Sequence, residues 1–389
     1  MGRYKRMKRI VYLTGTRADF GKLKSLISIS QNYPNFDVHL FVTGMHMNSL
    51  YGFTVTEVIN SGFKNIYKYI NHETDDSMDK ILSSTMIGFS QYIKQIKPDL
   101  IIVHGDRVEA LAGAIVGSLN NILVGHIEGG EVSGTIDELI RHSVTKMSHV
   151  HFVANEEAKK RLIQLGEFKK SIFTIGSPDI DLMGSKYLPD LEVVKKHYNV
   201  TYKDYSIAMF HPVTTEYENI KKYAFIFFNA LIESNLNYIV IYPNNDLGSR
   251  EILNEISKLN TNRFKVFPSI RFEFFLTFLK FSRFIIGNSS AGVREAPYYG
   301  IPTIDVGSRQ DKRSIHETIY NCGYEKSEIL NLISKVETSL KASKISVNRF
   351  YNFGIGNSDK LFLKILNSKE LWKIKCQKQF QEILNEKEI

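Results

Sequence analysis

Residues Pro98–Ser148 read PDLIIVHGDRVEALAGAIVGSLNNILVGHIEGGEVSGTIDELIRHSVTKMS and decide the fold of the chain. Two short apolar runs, Leu100–Val103 and Ile122–Val124, are rich in Ile and Val and flank a segment with helical periodicity. Runs of this kind are typical of parallel strands that are buried on both faces and joined by a crossover helix. The stretch therefore predicts part of a parallel α/β sheet.

Both apolar runs end in glycine and charged residues. The first is followed by HGDR and the second by HIEGGE. In an open α/β sheet, ligands bind outside the carboxyl ends of the strands. Carboxylates that lie close to one another and to a cation suit acid–base chemistry, because their environments push their pKa values apart. We expect one edge of the sheet to carry three carboxylates and three basic side chains: Asp106, Glu128, Asp137, Arg107, His104 and His126.

The composition is that of a soluble globular protein. The chain has 389 residues, of which 43% are hydrophobic and 23% charged, and this length favours two domains. No apolar run approaches the roughly 18 residues of a membrane helix, and the basic start leads into a first strand rather than a signal peptide. Cys322 and Cys376 are the only cysteines, which indicates a reducing, cytoplasmic location without a disulfide framework.

The charge balance favours an anionic small molecule over a nucleic acid. Lys and Arg number 50 against 41 Asp and Glu, which gives a net charge of +9. A nucleic-acid-binding protein would concentrate this excess in a basic stripe, whereas here the basic residues are spread along the chain. We expect a solvated basic surface with a site for an anionic ligand, and neither nucleic-acid nor membrane partners.

Alternating strand and helix patterns predict two doubly wound, Rossmann-like α/β domains that face a cleft. The N-terminal domain spans 1–187 and carries the carboxylates, and the C-terminal, nucleotide-binding domain spans 188–358. Residues 359–389 read as a helical, amphipathic tail with Trp372 and Phe380 as packing anchors. Predicted strands include Ile10–Thr14, Val38–Thr43, Leu100–Val103, Ser206–Phe210, Tyr238–Tyr242 and Phe284–Ile286.

Two glycine-containing loops predict anion contacts. TGTRADFGKLK follows the first strand and places Arg17 in a turn, where it could clamp a phosphate or form a local surface salt bridge. GNSSAGVREAPYYG places Ser289 and Ser290 before a helix predicted from Ala291 to Tyr298, where free N–H groups suit a diphosphate. The serines could also act only as N-caps. Glu295 could accept hydrogen bonds from ribose hydroxyls.

Further strand-end loops of the second half predict contacts to a ligand. FHPVTTE carries His211, YPNND carries Asn244, and GSRQDKR carries Arg309. Neither GxGxxG nor a Walker lysine pattern is present in the first loop, so NAD and ATP are not supported. The sequence also has no HExxH motif and no GxSxG elbow. We therefore expect neither a metal site nor a Ser/His/Asp hydrolase, and no cofactor.

Taken together, these motifs resemble the hydrolysing UDP-N-acetylglucosamine 2-epimerases of bacterial sialic acid synthesis. TGTRADFGKLK, VTGMHM, HGDR, HIEGGE, the GTIDE–IRHS segment, FHPVTTE, YPNND, FPSIRFE and GNSSAGVREAP occur in family order and cover the chain to about Arg313. The resemblance implies two Rossmann-like domains of the GT-B kind, a homodimer, and catalysis without a redox cofactor or metal.

The resemblance also assigns roles to residues. It implies that Asp106, Glu128 and Asp137 are the catalytic carboxylates. Non-hydrolysing relatives carry TGQH where this chain has TGMH with Met45, and this difference favours release of the free sugar. The implied nucleotide-binding residues are Arg17, Arg107, His211, Asn244, Ser289, Ser290, Glu295 and Arg309.

The implied reaction is anti elimination of UDP to a glycal, followed by hydration to N-acetylmannosamine. A sister enzyme that acts on a GDP-linked 2,4-diacetamido sugar, in the legionaminic acid route, would show the same motifs. A GT-B glycosyltransferase would share the nucleotide site but would need an acceptor, and a non-catalytic sensor should lose the carboxylates. The sequence does not decide which nucleotide base is bound.

Overall fold

The computed structural model describes residues 6–72, 76–133, 135–184, 188–259, 262–311, 316–341 and 353–382. The chain forms two compact units, the first from residues within 1–131, 137–184 and 352–389 and the second from residues within 132–136 and 185–351. The described residues 353–358 thus belong to the first unit, although the sequence analysis placed them in the second domain. Gly134 of the GTIDE motif and Arg313 lie outside the described residues.

In the described part of the first unit, a seven-stranded parallel sheet has the order β3-β2-β1-β4-β5-β6-β7. Helices alternate with the strands, as the sequence predicts for a doubly wound unit. The strands are β1 Lys8–Thr14, β2 Phe36–Val42, β3 Ile66–Lys68, β4 Leu100–His104, β5 Leu123–Ile127, β6 Val150–Val153 and β7 Ile172–Thr174. The helices are α1 Arg17–Gln31, α2 Val55–Asn60, α3 Met78–Ile96, α4 Val108–Leu119, α5 Ile136–Met147, α6 Glu156–Gln164 and α7 Pro178–Met183.

The central strands of this sheet are buried along their whole length. Every residue of β4 and β5 is buried, which is the burial expected for strands covered by helices on both faces. The two strands pair in parallel, with Val103 opposite His126 and His104 opposite Ile127. Their carboxyl ends therefore lie side by side.

The second unit repeats the architecture with a parallel sheet of six strands among its described residues, in the order β10-β9-β8-β11-β12-β13. The strands are β8 Ser206–Met209, β9 Tyr238–Ile241, β10 Phe264–Phe267, β11 Ile285–Gly287, β12 Thr303–Val306 and β13 Ile319–Cys322. The helices are α8 Leu191–Tyr198, α9 Ile220–Glu233, α10 Ser249–Ile256, α11 Phe272–Lys280, α12 Ser290–Val293, α13 Glu295–Tyr299 and α14 Lys326–Lys341. The sequence analysis missed β13, whose burial is only partial. The expectation of two parallel α/β units is confirmed.

The C-terminal segment packs on the first unit. Its helix, α15 Ser358–Leu366, contributes Phe362 and Leu366 to the buried core of that unit. Trp372 packs against the same core and donates its indole N–H to the carbonyl of Leu366 at 2.8 Å, so the prediction of Trp372 as an anchor is confirmed.

The prediction of Phe380 as a second anchor is wrong, because this side chain is 82% exposed. The described chain after Lys373 is also not helical. Polar groups fix it instead: His149 Nε2 lies 2.9 Å from the carbonyl oxygen of Cys376, and Lys378 donates to carbonyl groups at the end of α5. Among the helices in the ranges given above, none is both long enough and apolar enough to cross a membrane.

Candidate active site

The three predicted carboxylates lie next to β4, β5 and α5 of the first unit. Asp106 follows β4 through Gly105, whose φ of +71° suits glycine and whose N–H donates to the carbonyl of Ile127 at 3.0 Å. Glu128 comes directly after β5, and Asp137 lies in the first turn of α5. Glu128 and Asp137 are buried.

Arg141 connects these elements. It lies one turn after Asp137 on α5 and is 1% exposed. Its Nη2 forms an ion pair with Asp106 Oδ2, and its Nη1 donates to the backbone carbonyl of Glu128 at 2.7 Å. A guanidinium presents several donors in a fixed plane, so one side chain holds the Asp106 carboxylate and the Glu128 backbone together. The sequence analysis quoted Arg141 only as part of a motif and gave it no role.

The backbone of Glu128 has a left-handed conformation. Its φ is +64°, a value that non-glycine residues rarely adopt. Its N–H donates to the carbonyl of Phe152 at 3.1 Å, while Arg141 binds its carbonyl. Strained backbone of this kind persists where surrounding contacts fix it, and it is concentrated at functional sites. The strand end thus presents the Glu128 side chain in one fixed direction.

The carboxylate of Glu128 is surrounded by polar groups from three elements. Lys22 Nζ of α1 lies 3.4 Å from Oε1, and Ser177 Oγ donates to the same oxygen at 2.8 Å. His104 Nε2, at the end of β4, lies 3.3 Å from Oε2. Lys22 is itself buried and also lies 3.6 Å from Asp179 Oδ2. Lys22 is in the quoted TGTRADFGKLK loop, but the sequence analysis considered only Arg17 there.

The carboxylates around His104 make its imidazole unusually basic. Burial alone would lower its pKa, but the negative charges of Glu128 and Asp19 outweigh burial and raise the pKa to about 9. Asp19 Oδ1 lies 3.5 Å from His104 Nδ1. Burial opposes ionisation of Asp19, but hydrogen bonding and charge from His104, with the charge of Arg107, lower its pKa. His104 is therefore a cation held between two carboxylates at neutral pH.

His126 does not join this group as expected. It is fully buried, with Nε2 at 2.8 Å from the carbonyl of Gly105 and Nδ1 at 3.2 Å from Thr145 Oγ1. Burial is the main cause that lowers its pKa to about 3, so the ring stays neutral. His126 holds the β4 loop against α5, and the expectation that it shares an acid–base edge with the carboxylates is wrong.

The two predicted arginine clamps of the first unit have local partners. Arg17 Nε lies 2.7 Å from Glu57 Oε2, which is the local salt bridge that the sequence left open as an alternative. Arg107 occupies the N-cap position of α4, and its charge lowers the pKa of Asp19. A guanidinium has further N–H donors, so neither contact prevents binding of an anion.

In the second unit, Asn288 organises several of the predicted binding residues. Its side chain accepts from the His211 N–H at 2.6 Å and donates to the His211 carbonyl at 2.9 Å. Its backbone carbonyl accepts from Arg309 Nη1 at 3.2 Å and Gln310 Nε2 at 2.8 Å. His211 Nδ1 in turn accepts from the Asn244 N–H at 3.0 Å. The structure thus brings His211, Asn244 and Arg309 together around a residue that the sequence analysis gave no role.

The serine loop differs from its prediction in one respect. Ser289 Oγ accepts from the Ala291 N–H at 3.3 Å, as an N-cap does, but the expected helix is two short helices separated at Arg294. Pro297 lacks an N–H and cannot continue an uninterrupted hydrogen-bond ladder. Ser290 is half-buried and Glu295 is buried at the start of α13. Any anion here would meet local N–H groups rather than a long helix dipole.

Gly287, just before this loop, is required by close packing. Its φ is +129°, and a Cβ atom would lie 1.9 Å from the carbonyl oxygen of Met209. Only glycine allows β11 and β8 to approach at this point. The loop that carries Ser289 therefore starts at a fixed position at the carboxyl end of the second sheet, where α/β proteins bind ligands.

Comparison with known proteins agrees with this architecture. A UDP-N-acetylglucosamine 2-epimerase of Neisseria meningitidis is 47% identical over 378 residues, which cover 97% of this chain and 100% of the relative. A hydrolysing UDP-N,N'-diacetylbacillosamine 2-epimerase of Legionella pneumophila is 32% identical over 90% of this chain and 93% of its own length. The polysialic acid biosynthesis protein P7 of Escherichia coli is 34% identical over 89% of this chain and 90% of its own length.

The fold agrees as well. The crystal structure of a UDP-GlcNAc 2-epimerase from Neisseria meningitidis bound to UDP-GlcNAc superimposes with a TM-score of 0.76, covering 92% of this chain and 99% of that one at 18% identity. The family described as UDP-N-acetylglucosamine 2-epimerase matches residues 29–367. Since this match covers most of the chain, the protein belongs to the UDP-N-acetylglucosamine 2-epimerase family.

Proposed function

We propose that the protein is a hydrolysing 2-epimerase that converts UDP-N-acetylglucosamine and water into N-acetylmannosamine and UDP, a reaction that feeds sialic acid synthesis. The observation that supports it most directly is that half-buried Asp106 and buried Glu128 and His104 meet at the carboxyl ends of β4 and β5, where buried Arg141 of α5 binds the first two. Two carboxylates beside two cations provide proton acceptors and donors with different affinities for a proton.

The proposed reaction has two stages. In the first, the C1–O bond to the diphosphate and the C2–H bond break, a carboxylate accepts the C2 proton, and a C1=C2 double bond forms. In the second, water adds its hydroxyl group at C1 while C2 receives a proton on the opposite face, which inverts C2. Each positioned proton-transfer group is expected to contribute about 10²–10⁴-fold to the rate. We assign these transfers to Asp106, Glu128 and Asp137 together.

The diphosphate leaves with negative charge that the enzyme must stabilise. We propose that the second unit binds UDP through His211, Asn244, Ser289, Ser290, Glu295 and Arg309, with Arg17 and Arg107 of the first unit as further anion-binding groups. The hydrogen bonds around Asn288 support this assignment, because they hold His211 and Arg309 in place before a ligand binds. Preorganised donors need not be reoriented during the reaction.

The TGMHM segment supports hydrolysis rather than return of a nucleotide sugar. Met45 is half-buried in a 3₁₀ turn, Gly44–Met47, and offers no strong hydrogen-bonding group. Next to it, His46 is buried between the hydroxyls of Thr14 and Thr54, at 3.1 and 2.7 Å, and burial lowers its pKa to about 4. A neutral histidine and a thioether are poor ligands for the diphosphate of a second, activating substrate molecule.

A second candidate is a hydrolysing 2-epimerase of a nucleotide-linked 2,4-diacetamido sugar, as in legionaminic acid synthesis. The Legionella relative carries such a name, with UDP as the nucleotide. The higher identity to the Neisseria enzyme and its complete coverage favour UDP-N-acetylglucosamine for this chain. A GT-B glycosyltransferase is a more distant candidate, since it would require an acceptor.

The test is incubation of the purified protein with UDP-N-acetylglucosamine in D₂O, followed by proton NMR. We expect UDP and free N-acetylmannosamine that carries deuterium at C2. Asp106→Asn, Glu128→Gln and Asp137→Asn should each abolish most turnover. Glu138→Gln, which changes the half-buried residue next to Asp137 on α5, should not. Unchanged substrate would contradict the assignment, and the same assay with UDP- and GDP-linked diacetamido sugars would then test the second candidate.

We also propose that the protein is a cytoplasmic homodimer. The C-terminal ends of α4 and α5 expose apolar side chains: Leu119 is 72% and Met147 37% exposed. Ser118 Oγ lies 3.5 Å from the sulfur of Met147, which places the ends of α4 and α5 next to each other. Contiguous exposed apolar surface is typical of protein interfaces. Light scattering should give a dimer for the wild type and a monomer for Leu119→Glu; a monomeric wild type would contradict this.

A further inference from the structure

We propose that Ser177 is a positioning residue for Glu128, and that the returning C-terminal segment Phe353–Ser358 holds Ser177 in place. The inference rests on the proposed function, in which Glu128 takes part in proton transfer. Ser177 is fully buried, and its Oγ donates to Glu128 Oε1 at 2.8 Å. It precedes α7 at the N-cap position but makes no side-chain capping bond to that helix. Its hydroxyl is thus directed to Glu128 instead of to the usual partner of an N-cap serine.

The backbone around Ser177 is fixed by residues far away in sequence. The Ser177 N–H donates to the carbonyl of Phe353 at 2.6 Å, and Ser358 Oγ donates to the Ser177 carbonyl at 3.1 Å. Asp181 on α7 accepts from the backbone N–H groups of Ser358 and Asp359 at 2.8 and 3.0 Å. Asp181 thereby caps α15 and ties its start to the helix that Ser177 precedes.

Two glycines allow this close approach. Gly176 has a φ of +83° and Gly354 a φ of +116°. A Cβ atom on Gly354 would lie 3.0 Å from Cα of Gly176, which is closer than carbon atoms normally pack. The returning segment can therefore lie directly against the Gly176–Ser177 backbone only because both positions lack a side chain.

The contact selects one oxygen of the catalytic carboxylate. Oε1 receives the Ser177 hydroxyl and Oε2 faces His104, while Lys22 Nζ lies 3.4 and 3.5 Å from Oε1 and Oε2. Because the Glu128 backbone is fixed by Arg141 in a left-handed conformation, the side chain has little freedom except rotation about its own bonds. The Ser177 bond opposes that rotation. Proton transfer depends on such placement, since a shift of about 1 Å can cost about 10²-fold in rate.

The charged groups that face Glu128 come from every element around it. Lys22 comes from α1, His104 from the end of β4, and Arg141 from α5 through the backbone carbonyl. Asp179 of α7 acts through Lys22, and Asp19 of α1 acts through His104. Ser177 is the neutral member of this group. Its removal therefore changes the geometry of the carboxylate without changing the charge of the site.

Ser177→Ala tests the proposal, with Ser171→Ala as the matched control. Ser171 is also a buried serine of the first unit, and its hydroxyl donates to the nearby carbonyl of Phe168. For Ser177→Ala we expect kcat to fall about 10- to 100-fold, with KM and the affinity for UDP changed less than about threefold. The isotope effect with C2-deuterated substrate should rise, because proton transfer becomes slower. Ser177→Thr, which keeps the hydroxyl, should recover most of the rate.

A readout without turnover separates this inference from the proposed function. NMR of the His104 ring should show a lower pKa in Ser177→Ala than in the wild type, because Glu128 Oε2 is no longer held beside it; Ser171→Ala should show no change. Ser177→Ala with a wild-type rate, isotope effect and His104 pKa would overturn the inference. If the wild type releases no sugar from any of the substrates named above while Ser177→Ala still lowers the pKa of His104, the proposed function alone is overturned.

Discussion

The imidazole of His104 lies 3.3 Å from Oε2 of Glu128, and both side chains are buried. The two residues follow neighbouring strands, β4 and β5, which pair in parallel register. In such an environment an ion pair is favoured over two separate charges, because neither charge has access to water. The positions of the two strand ends therefore determine the protonation state of His104.

The first prediction concerns this pair. In Glu128→Gln, burial should dominate the pKa of His104, and the pKa should fall from about 9 by more than about one unit, which corresponds to about 1.4 kcal/mol. NMR titration of the ring protons measures this value. The control is Glu138→Gln, which removes the partner of the exposed His142 on α5 and should leave the pKa of His104 unchanged. An unchanged value in Glu128→Gln would contradict the charge assignment.

The same pair predicts a pH dependence of stability. The pKa of His104 is higher in the folded state than its ordinary value of 6.5, so its stabilising contribution is complete below pH 6.5 and is lost as the pH rises through about 9. Chemical denaturation across this range should show the free energy of unfolding falling on the alkaline side. His104→Gln should flatten that decline. A decline of equal steepness in this variant would assign it to other groups.

Arg141 is predicted to be more than a source of charge. Arg141→Lys keeps a positive charge but lacks the two donors that reach Asp106 and the Glu128 carbonyl at once. We expect kcat to fall about 10-fold in Arg141→Lys and about 100-fold or more in Arg141→Ala. Steady-state kinetics measures both. The control is Arg161→Lys. Arg161 also donates to a backbone carbonyl, that of Gly130 in the loop after β5, and this variant should retain activity.

Asn288 should control nucleotide binding in the second unit. In Asn288→Ala, His211 loses two hydrogen bonds to the side chain, whereas the backbone carbonyl that accepts from Arg309 remains. We expect the Kd for UDP to rise about 10-fold, which corresponds to about 1.4 kcal/mol. Calorimetry with UDP tests this. Asn229→Ala, on the surface of α9, should bind UDP as the wild type does, and unchanged binding by a folded Asn288→Ala would contradict the prediction.

The sequence predicted the elements that depend on local pattern. The runs around Leu100 and Ile122 gave buried parallel strands because both faces of a central strand need apolar side chains. Their ends placed Asp106 and Glu128 next to each other because parallel strands end at a common edge. Arg17 and Ser289 were selected from the glycines and polar residues that open helices, and their role in anion binding stays a prediction.

The parts that sequence analysis missed depend on contacts between distant residues. Ser177 and Phe353 meet only after the chain has passed through the second unit and returned, and no local pattern marks that contact. His126 was misjudged because a strand-end histidine can point into the core or into the site, and only packing decides. Phe380 was misjudged because an apolar residue in a polar tail predicts burial only if a partner surface is present.

An ion pair between half-buried Lys378 and buried Glu167 holds the described part of the C-terminal segment. Lys378 Nζ lies 2.6 Å from Glu167 Oε2 and donates to the carbonyls of Thr145, Lys146 and Ser148 at the end of α5. Burial opposes ionisation of Glu167, but His151 and Lys378 outweigh it and lower its pKa to about 2. The contribution of Glu167 to stability is therefore present above about pH 4.5 and is lost as the pH falls through about 2.

Lys378→Ala should consequently detach the segment after α15 and destabilise the protein. It leaves Glu167 buried beside fewer cations and three helix-end carbonyls without their donor, for which we expect a loss of about 2–4 kcal/mol. Trp372, the single tryptophan, lies in this segment, so its fluorescence in a urea titration reports the loss directly. The exposed Lys375→Ala and Phe380→Ser are the controls and should change stability by less than about 0.5 kcal/mol. A wild-type urea midpoint for Lys378→Ala would show that the apolar contacts of α15 and Trp372 hold the segment without the ion pair.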